Sequence, residues 1–538
     1  MKRLILLLIM IGIMPNAYSQ SPMLWSKDFA TGHNRHYPMY PNKNLQSIQI
    51  LADTIKVIGR KNTSNGQRLS IVKYDLLGNA ISTKTYGNNS VFNNSIIDYK
   101  FDSTNHLYIL HKEQLGFYKS KIVLQKYSPG GNLIWLEQMQ SPADTSYTPT
   151  SIGLTNDTHL FVAAYKEYDY PESLNEDVIN TVTIPQLYSY DSNGNQLWLR
   201  EFNPNTEIKW FPYEIFIHSN KAFLFGYNTS DINRLVKVDL NNNLTINTSA
   251  GIQNGINNVQ LTPDNKLLIT SGINYRISKV NLNGTAIWTA DYGTNLPSHV
   301  IGDEIKATLQ DSAGNIYVTG KHYGENYGTS NYTNADIFTI KYDSSGNLIW
   351  QNRYGYGGNN ADIGNTMILK NGQIYVGGES QSSGVGTDYD YVVLKIGSIS
   401  GASTGVYRYG GIANGDDAVY SLAVFDNGNV ALTGRSYINS QYDWTTQLLS
   451  GILSVQNNSS PNNFQVYPNP IGTGKILKIN GEGIKSYSII SFLGQVVQQG
   501  FLEPSDFHKI QLDNLTTGMY LLNLQTDKEI VTSKIIVR

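Results

Sequence analysis

The chain has 538 residues, 15% of them charged, and a formal net charge of -2. An ordinary globular chain carries roughly 25% charged residues, and a protein built to hold a polyanion carries a basic stripe. No such stripe is visible, so nucleic acid is excluded as a partner. The 37 Tyr and 48 Gly, together with abundant Asn and Ser, suit strands and tight turns on a surface solvated by neutral polar groups. The absence of Cys removes lipoprotein anchoring, disulfides, thiolate metal sites and cysteine nucleophiles together.

In chain order, Lys2 and Arg3 form a positive n-region, Leu4 to Met14 an apolar core, and Pro15 a helix break. Ala17-Tyr18-Ser19 presents small residues where a signal peptidase reads them, so residues 1–19 are expected to be a signal peptide cleaved before Gln20. The apolar run is too short to span a bilayer, and no later segment approaches the ~18 apolar residues that a transmembrane helix needs.

From there a hairpin motif returns: KYDLLGNAI from Lys73, KYSPGGNLIW from Lys126, SYDSNGNQLW from Ser189, KVDLNNNL from Lys237, KVNLNGTAIW from Lys279 and KYDSSGNLIW from Lys341. A further copy, KIGSISGAS from Lys395, lacks the Trp. Each is an alternating strand, an Asp/Asn/Gly turn and a return strand. The better copies end in Tyr-Gly, as at Tyr354-Gly355 and Tyr409-Gly410. Between them lies a second hairpin, best formed at Leu309–Gly320 and Val424–Gly434, with eight copies in all. Two hairpins make four antiparallel strands, and a repeat of about fifty residues is propeller-blade length. One such sheet cannot bury both faces, whereas radial stacking does. The fold expected for residues 20–455 is an all-β propeller with eight blades, or seven because the units before Gly293 vary in length and turn residues. Leu24-Trp25 and Phe29 match the spacing of the repeat's last strand, while the final unit reaches only its third strand at Trp444–Leu449. The N-terminal segment should therefore complete the last blade; the alternative places Ile452–Val455 there.

The pattern D-x-x-G-N-x-Y-V-T-G, then K-Y-D-x-x-G-N-x-x-W and Y-G, resembles the SBBP-type β-propeller repeats of secreted bacterial proteins. The units from about Asp303 to Gly434 match it best.

Residues 456–463 (QNNSSPNN) read as a polar linker. Beyond it, 464–538 alternate as short strands of a small β-sandwich. Tyr467-Pro468-Asn469-Pro470, the hairpin around Gly494, Gly518-Met519-Tyr520 and the closing Lys534-Ile535-Ile536-Val537 occur there in order. This series resembles the type A C-terminal sorting domain of the type IX secretion system of Bacteroidetes. The resemblance implies export through the periplasm by that machinery, removal of the domain in the linker, and a passenger released or displayed on the cell surface. Gly472-Thr473-Gly474-Lys475 imitates a phosphate loop, but Asn469 and Ile476 replace its first Gly and its Ser/Thr, so a turn is expected.

Propellers host enzymes and binders alike. A sialidase S-x-D-x-G-x-x-W box fails on spacing, the quinoprotein D-x-x-T-G-x-x-x-W motif lacks its Thr, and neither G-x-S-x-G nor H-E-x-x-H occurs. His33, His36, His106 and His111 are expected to be solvated. Asp303-Glu304, Asp362 and Asp416-Asp417 each follow a Tyr-Gly in consecutive units and should form an arc on one rim. Such carboxylates could converge on calcium or a polar ligand; the plainer reading is that each accepts backbone N–H bonds in its own loop. Two Tyr-rich stretches, Tyr165 to Tyr170 and Tyr323 to Tyr332, are expected as loops able to stack on sugars or contact proteins. The expected function is a secreted or surface propeller that binds a glycan or protein. The alternative is an extracellular polysaccharide-acting or quinoprotein-like enzyme. No catalytic or cofactor-binding residue is assigned.

Overall fold

Asp343 shows why the chain turns where it does. One carboxylate oxygen accepts the backbone N–H groups of Ser345 (2.8 Å) and Asn347 (2.9 Å), and the other accepts the Asn347 side-chain amide (2.8 Å). Asp75, Asp191 and Asp311 repeat this arrangement with Asn79, Asn195 and Asn315. Gly346 sits at φ 87°, a left-handed backbone that a Cβ resists. The Asp, Gly and Asn of the repeat are thus turn chemistry.

The computed structural model describes residues 23–33, 47–450 and 465–537 apart from short connecting segments, the longest being 203–209, 293–302, 324–334 and 382–387. The predicted signal peptide, the 456–463 linker, His36, Pro470 and Gly494 lie outside the described residues. The chain divides into two compact units, Met1–Ser454 and Val455–Arg538.

In the first unit the described strands form eight four-stranded antiparallel sheets. Seven run in strict chain order and occupy 47–86, 94–139, 145–201, 210–252, 256–290, 304–354 and 362–409; they are numbered one to seven below. The eighth contains Ala418–Val424, Val430–Ile438 and Gln441–Leu449, and its fourth strand is the N-terminal Met23–His33. That strand runs antiparallel to Gln441–Leu449, with Trp25 opposite Leu448 and Phe29 opposite Trp444. The ring closes by strand exchange, as the spacing of Trp25 and Phe29 predicts.

The core is divided among the junctions between sheets. Ile58, Leu69, Ile96 and Ile109 fill the junction of sheets one and two, and Tyr317, Trp350, Val376 and Val392 that of six and seven. Each consecutive pair shares such a cluster, and the last links Ala423, Ala431 and Trp444 of the eighth sheet to Ile48, Ile55 and Val72 of the first. Both faces of every sheet are therefore covered by neighbours, which a single sheet cannot achieve alone.

The repeat's Trp joins one sheet to the next. The indole N–H of Trp135 donates to the Ser192 carbonyl (3.1 Å), that of Trp288 to Ser344 (3.0 Å) and that of Trp350 to Ser398 (3.1 Å). Each acceptor lies in the outer hairpin turn of the following sheet. Each ring lies on a positive-φ glycine of that turn, Gly194, Gly346 or Gly401, where a Cβ would meet the ring within 2.8 Å. Lys126 and Lys341 donate to the same Ser192 and Ser398 carbonyls, each at 3.0 Å, while lying over Tyr108 and Tyr317.

The innermost strands carry a second device. In seven of them one extra residue interrupts the ladder at the same register: Ile97, Thr150, Tyr213, Asn257, Lys306, Asn365 and Tyr420. In sheets four, six, seven and eight the facing position is Gly226, Gly320, Gly378 or Gly434, where a Cβ would overlap an inner-strand carbonyl oxygen. The Gly of Y-V-T-G is required by that close approach.

Tyr165 to Tyr170 are not a loop. They extend the strand His159–Glu172, paired through Pro171 with Asn175–Asp191. The ladder continues where a loop was expected, with Pro185 opposite Tyr165 and the β-branched Ile184, Thr183 and Val182 opposite Lys166, Glu167 and Tyr168.

In the second unit a three-stranded sheet (Gln465–Tyr467, Ile476–Asn480, Phe507–Gln511) and a four-stranded sheet (Ile484–Ser491, Val496–Phe501, Gly518–Thr526, Ile530–Val537) share a core of Leu477, Ile479, Ile489, Leu522 and Ile535. The Asn469 side chain accepts the Ile536 backbone N–H (2.9 Å), so the Y-P-N-P segment fastens the last strand, on which Lys534 also lies. Tyr520 is buried, and its hydroxyl donates to the Thr516 carbonyl (3.0 Å). Lys475 donates to the Leu515 carbonyl (2.8 Å), so the imitation phosphate loop spends its lysine on structure.

The Trp contact can be isolated with two glycines of one sheet. Gly372 (φ 70°) and Gly401 (φ 71°) share a backbone conformation, but only Gly401 lies under an indole. Gly372→Ala should cost about 1–2 kcal/mol from the left-handed backbone. Gly401→Ala should cost about 1–3 kcal/mol more through the displaced Trp350. Denaturant unfolding of the full chain reads both; equal losses would remove the proposed role of the ring.

Candidate functional site

The arc of acids predicted from the repeats exists, but it is divided. Asp303, Asp362 and Asp417 are buried at the same edge of sheets six, seven and eight. Asp303 accepts the His322 imidazole N–H (2.8 Å) and the Tyr323 backbone N–H (2.9 Å). Asp362 accepts the Ser380 hydroxyl, and Asp417 the Tyr437 backbone N–H (3.1 Å). Each partner belongs to the acid's own sheet, where it holds the start of the inner strand to its neighbour. Glu304 pairs with Lys306 (2.6 Å) and Lys321 (3.6 Å). Among the described residues, no three His, Cys, Asp or Glu side chains come together in metal-binding geometry.

Asp416 differs from the rest of the arc. Its carboxylate reaches across the junction of sheets seven and eight, accepting the Tyr389 backbone N–H (3.3 Å) and the Tyr442 hydroxyl (3.4 Å). The next residue reinforces this strap, since the Asp417 N–H donates to the Tyr389 carbonyl (2.7 Å). Around it gather residues that motif reasoning missed. Arg435 follows Gly434 and Glu379 follows Gly378, so the two occupy equivalent positions in neighbouring sheets. Their side chains meet at 3.4 Å across the junction. The Arg435 guanidinium lies 5.2 Å from the Tyr442 ring centre and 6.0 Å from that of Tyr420. Tyr437 meets Tyr442 edge-on at 5.2 Å. The inner-strand bulge supplies Tyr420, and the bulge-facing glycine delivers Arg435 beside it.

This cluster is electrostatically tense. Burial pushes the Glu379 carboxyl up; Arg435 opposes the rise, Asp416 adds to it, and Lys306 and Asn365 also act on the group. Burial raises the hydroxyl of Tyr389 to about 12, with the charges of Glu379 and Asp416 contributing. The one guanidinium faces two carboxylates and keeps a loose, single-nitrogen contact with Glu379. A guanidinium can form paired, parallel bonds to a carboxylate, and among the described residues its contact with Glu379 is a single one at 3.4 Å. The available signal was the residue after each bulge-facing glycine: Lys321, Glu379 and Arg435 differ while their surroundings repeat.

Two of the histidines expected to be solvated are engaged in the fold instead. His111 is fully buried opposite the bulge of sheet two, where other sheets place glycine. It bonds Gln125 through Nε2 (3.0 Å), and burial lowers its pKa to about 4. It is therefore a core residue, since its register position points into a sheet junction. His106 folds back onto the turn carboxylate of Asp102 (3.1 Å). His33 ends the N-terminal strand. The ion pairs Asp336–Arg353 and Asp390–Arg408 recur at equivalent places and belong to the repeat.

Residues 465–538 match the secretion system C-terminal sorting domain family. The ulvan lyase NLR42 of Nonlabens ulvanivorans is 22% identical over 193 residues, covering 29% of this chain and 36% of that enzyme. The chain thus spans about a third of that relative's length. Among solved structures, the Dos1 propeller is similar over 80% of this chain and 95% of its own, at 12% identity and a TM-score of 0.46. The quinohemoprotein alcohol dehydrogenase ADHIIG of Pseudomonas putida HK5 is similar over 84% of this chain and 79% of its own, at 9% identity and a TM-score of 0.46. These are likenesses of fold. The chain is a β-propeller protein with a type IX secretion sorting tail, which marks it for export and for release or attachment at the cell surface.

Asp417 supplies a pH test of the rim. Burial raises its carboxyl to about 7, with Ser436 and the Tyr437 N–H opposing the rise. The unfolded chain ionises this group near its ordinary value, so folding stability is fully present below about pH 4 and declines until about pH 7. The decline attributable to this group is about 4 kcal/mol. Asp417→Asn keeps an acceptor for Tyr437 and should remove that part of the slope. Thermal unfolding of both chains between pH 4 and 8 measures it; parallel profiles would contradict the assignment.

Proposed function

We propose that this chain is an exported propeller that binds an extracellular glycan or protein at the rim formed by sheets seven and eight. The observation that carries the reading is Arg435, held between Tyr420 and Tyr442 with only a 3.4 Å contact to Glu379. Arginine and tyrosine are the side chains that dominate binding hot spots, because they combine large contact area with directed hydrogen bonds. The rim draws on Glu379, Asp416, Tyr389 and Lys306 for further donors and acceptors, a set that serves recognition without any catalytic motif. On this reading residues 1–19 direct passage across the inner membrane, residues 465–538 direct passage across the outer membrane, and the segment 456–463 is where the passenger is cut free.

A second reading rests on Glu379. Burial raises the Glu379 carboxyl, the direction that favours a general acid, and a general acid here would make the protein a polysaccharide-acting enzyme. Binding and turnover separate the two readings. A glycan and protein-ligand screen of the full chain should yield a ligand whose affinity falls about tenfold or more in Arg435→Ala, as for a central hot-spot residue, with no product formed. Product formation that Glu379→Gln abolishes would favour the enzyme. A chain truncated before Gln465 should remain in the periplasm, as read by cell fractionation; normal export would contradict the role of the tail.

A further inference from the structure

The sheet-to-sheet Trp contact fails at one junction. Trp198 pairs with Ser189 as Trp288 pairs with Lys279 and Trp350 with Lys341, so it occupies the same repeat position. Its ring packs at 5.8 Å from Phe161 of its own sheet. The outer turn of sheet four reads Asp239-Leu240-Asn241-Asn242-Asn243-Leu244, with no glycine on which an indole could lie. Among the described residues the Trp198 indole N–H has no acceptor, whereas Trp135, Trp288 and Trp350 each donate to a turn carbonyl. Where the contact should be, a cleft of about 740 Å³ opens between sheets three and four.

We infer that this cleft is a binding site for a neutral oligosaccharide, separate from the Arg435 rim. Its volume falls within the range of small-molecule sites. Phe161, Trp198 and Ile217 provide apolar surface, and His218, Asn220 and Asn241 provide donors and acceptors. Among the described residues, none that lines the cleft is Asp, Glu, Lys or Arg. A site without ionised carboxylate, ammonium or guanidinium groups offers an anionic sugar no compensation for its lost hydration. A neutral pyranose needs what is present: an aromatic face for its C–H groups, amides and imidazoles for its hydroxyls, and an indole N–H donor that has no acceptor among the described residues. The repeat supplies the tryptophan, and the glycine-free turn leaves it available.

The test is calorimetry on the full chain with cellotetraose, xylotetraose, laminaritetraose and mannotetraose, and with tetragalacturonate as the anionic probe. At least one neutral probe should bind, and tetragalacturonate should not bind at this site. Trp198→Ala should weaken the neutral probe about tenfold or more, the scale of a lost aromatic platform and its hydrogen bond. Trp198→Phe keeps the ring, loses the N–H and should weaken binding severalfold, which keeps the test informative if the alanine variant unfolds. Trp135→Phe alters an occupied contact at another junction and should leave this affinity unchanged. Failure of all four neutral probes, indifference to both Trp198 variants, or a Trp198-dependent preference for tetragalacturonate would overturn the proposal.

Discussion

The ring depends on how neighbouring sheets are held together, and at three junctions an outer-strand tryptophan seated on the next sheet's turn does this. A four-stranded sheet has two apolar faces, and a ring of sheets covers them only if neighbours hold their spacing at the rim as well as in the core. The indole does this by spanning the junction, donating to a turn carbonyl and lying on the one residue in that turn without a side chain. Lysine from the adjoining strand reaches the same carbonyl. The K-Y-D-x-x-G-N-x-x-W signature therefore describes two consecutive sheets: its Asp, Gly and Asn shape one turn, and its Lys and Trp grip the next.

Because these positions are committed to the ring, they are poor places to look for function. The same holds for Asp303, Asp362 and Asp417, whose carboxylates secure strand starts. Chemistry is free to vary beside the repeated positions. The bulge in each inner strand and the residue after the facing glycine are geometrically constant and chemically variable, so each sheet presents its own side chains there. Arg435 and Glu379 arise this way, and their meeting across a junction turns two unremarkable repeat positions into a polar cluster.

Much of the fold was legible along the chain. The turn chemistry, the two-hairpin unit and the exchange of the N-terminal strand were read from spacing, and the sorting tail from its resemblance to a known family. The Tyr165 to Tyr170 stretch and His111 were misread for a common reason. Hairpin length and side-chain facing depend on which residues lie opposite, as Pro185 and Val182 do for Tyr165 and Tyr168, and on the register set by a bulge. The acidic arc was half legible: repeat alignment placed the carboxylates on one edge but could not tell Asp416, which crosses a junction, from Asp417 beside it, which is buried within its sheet.

By itself the sequence determined the repeating unit and the absence of thiol chemistry, because these follow from local turn geometry, strand periodicity and composition, while the export tail was identified by its resemblance to a known sorting-domain family. Only the tertiary structure decided which unlike residues meet. Contacts such as Glu379 with Arg435 join side chains of two different sheets, 56 residues apart. Their energies are set by burial and mutual distance, which no single repeat encodes. The same limit applies to Trp198: its identity as a repeat tryptophan was plain, but its vacant donor and open cleft depend on a turn in the next sheet.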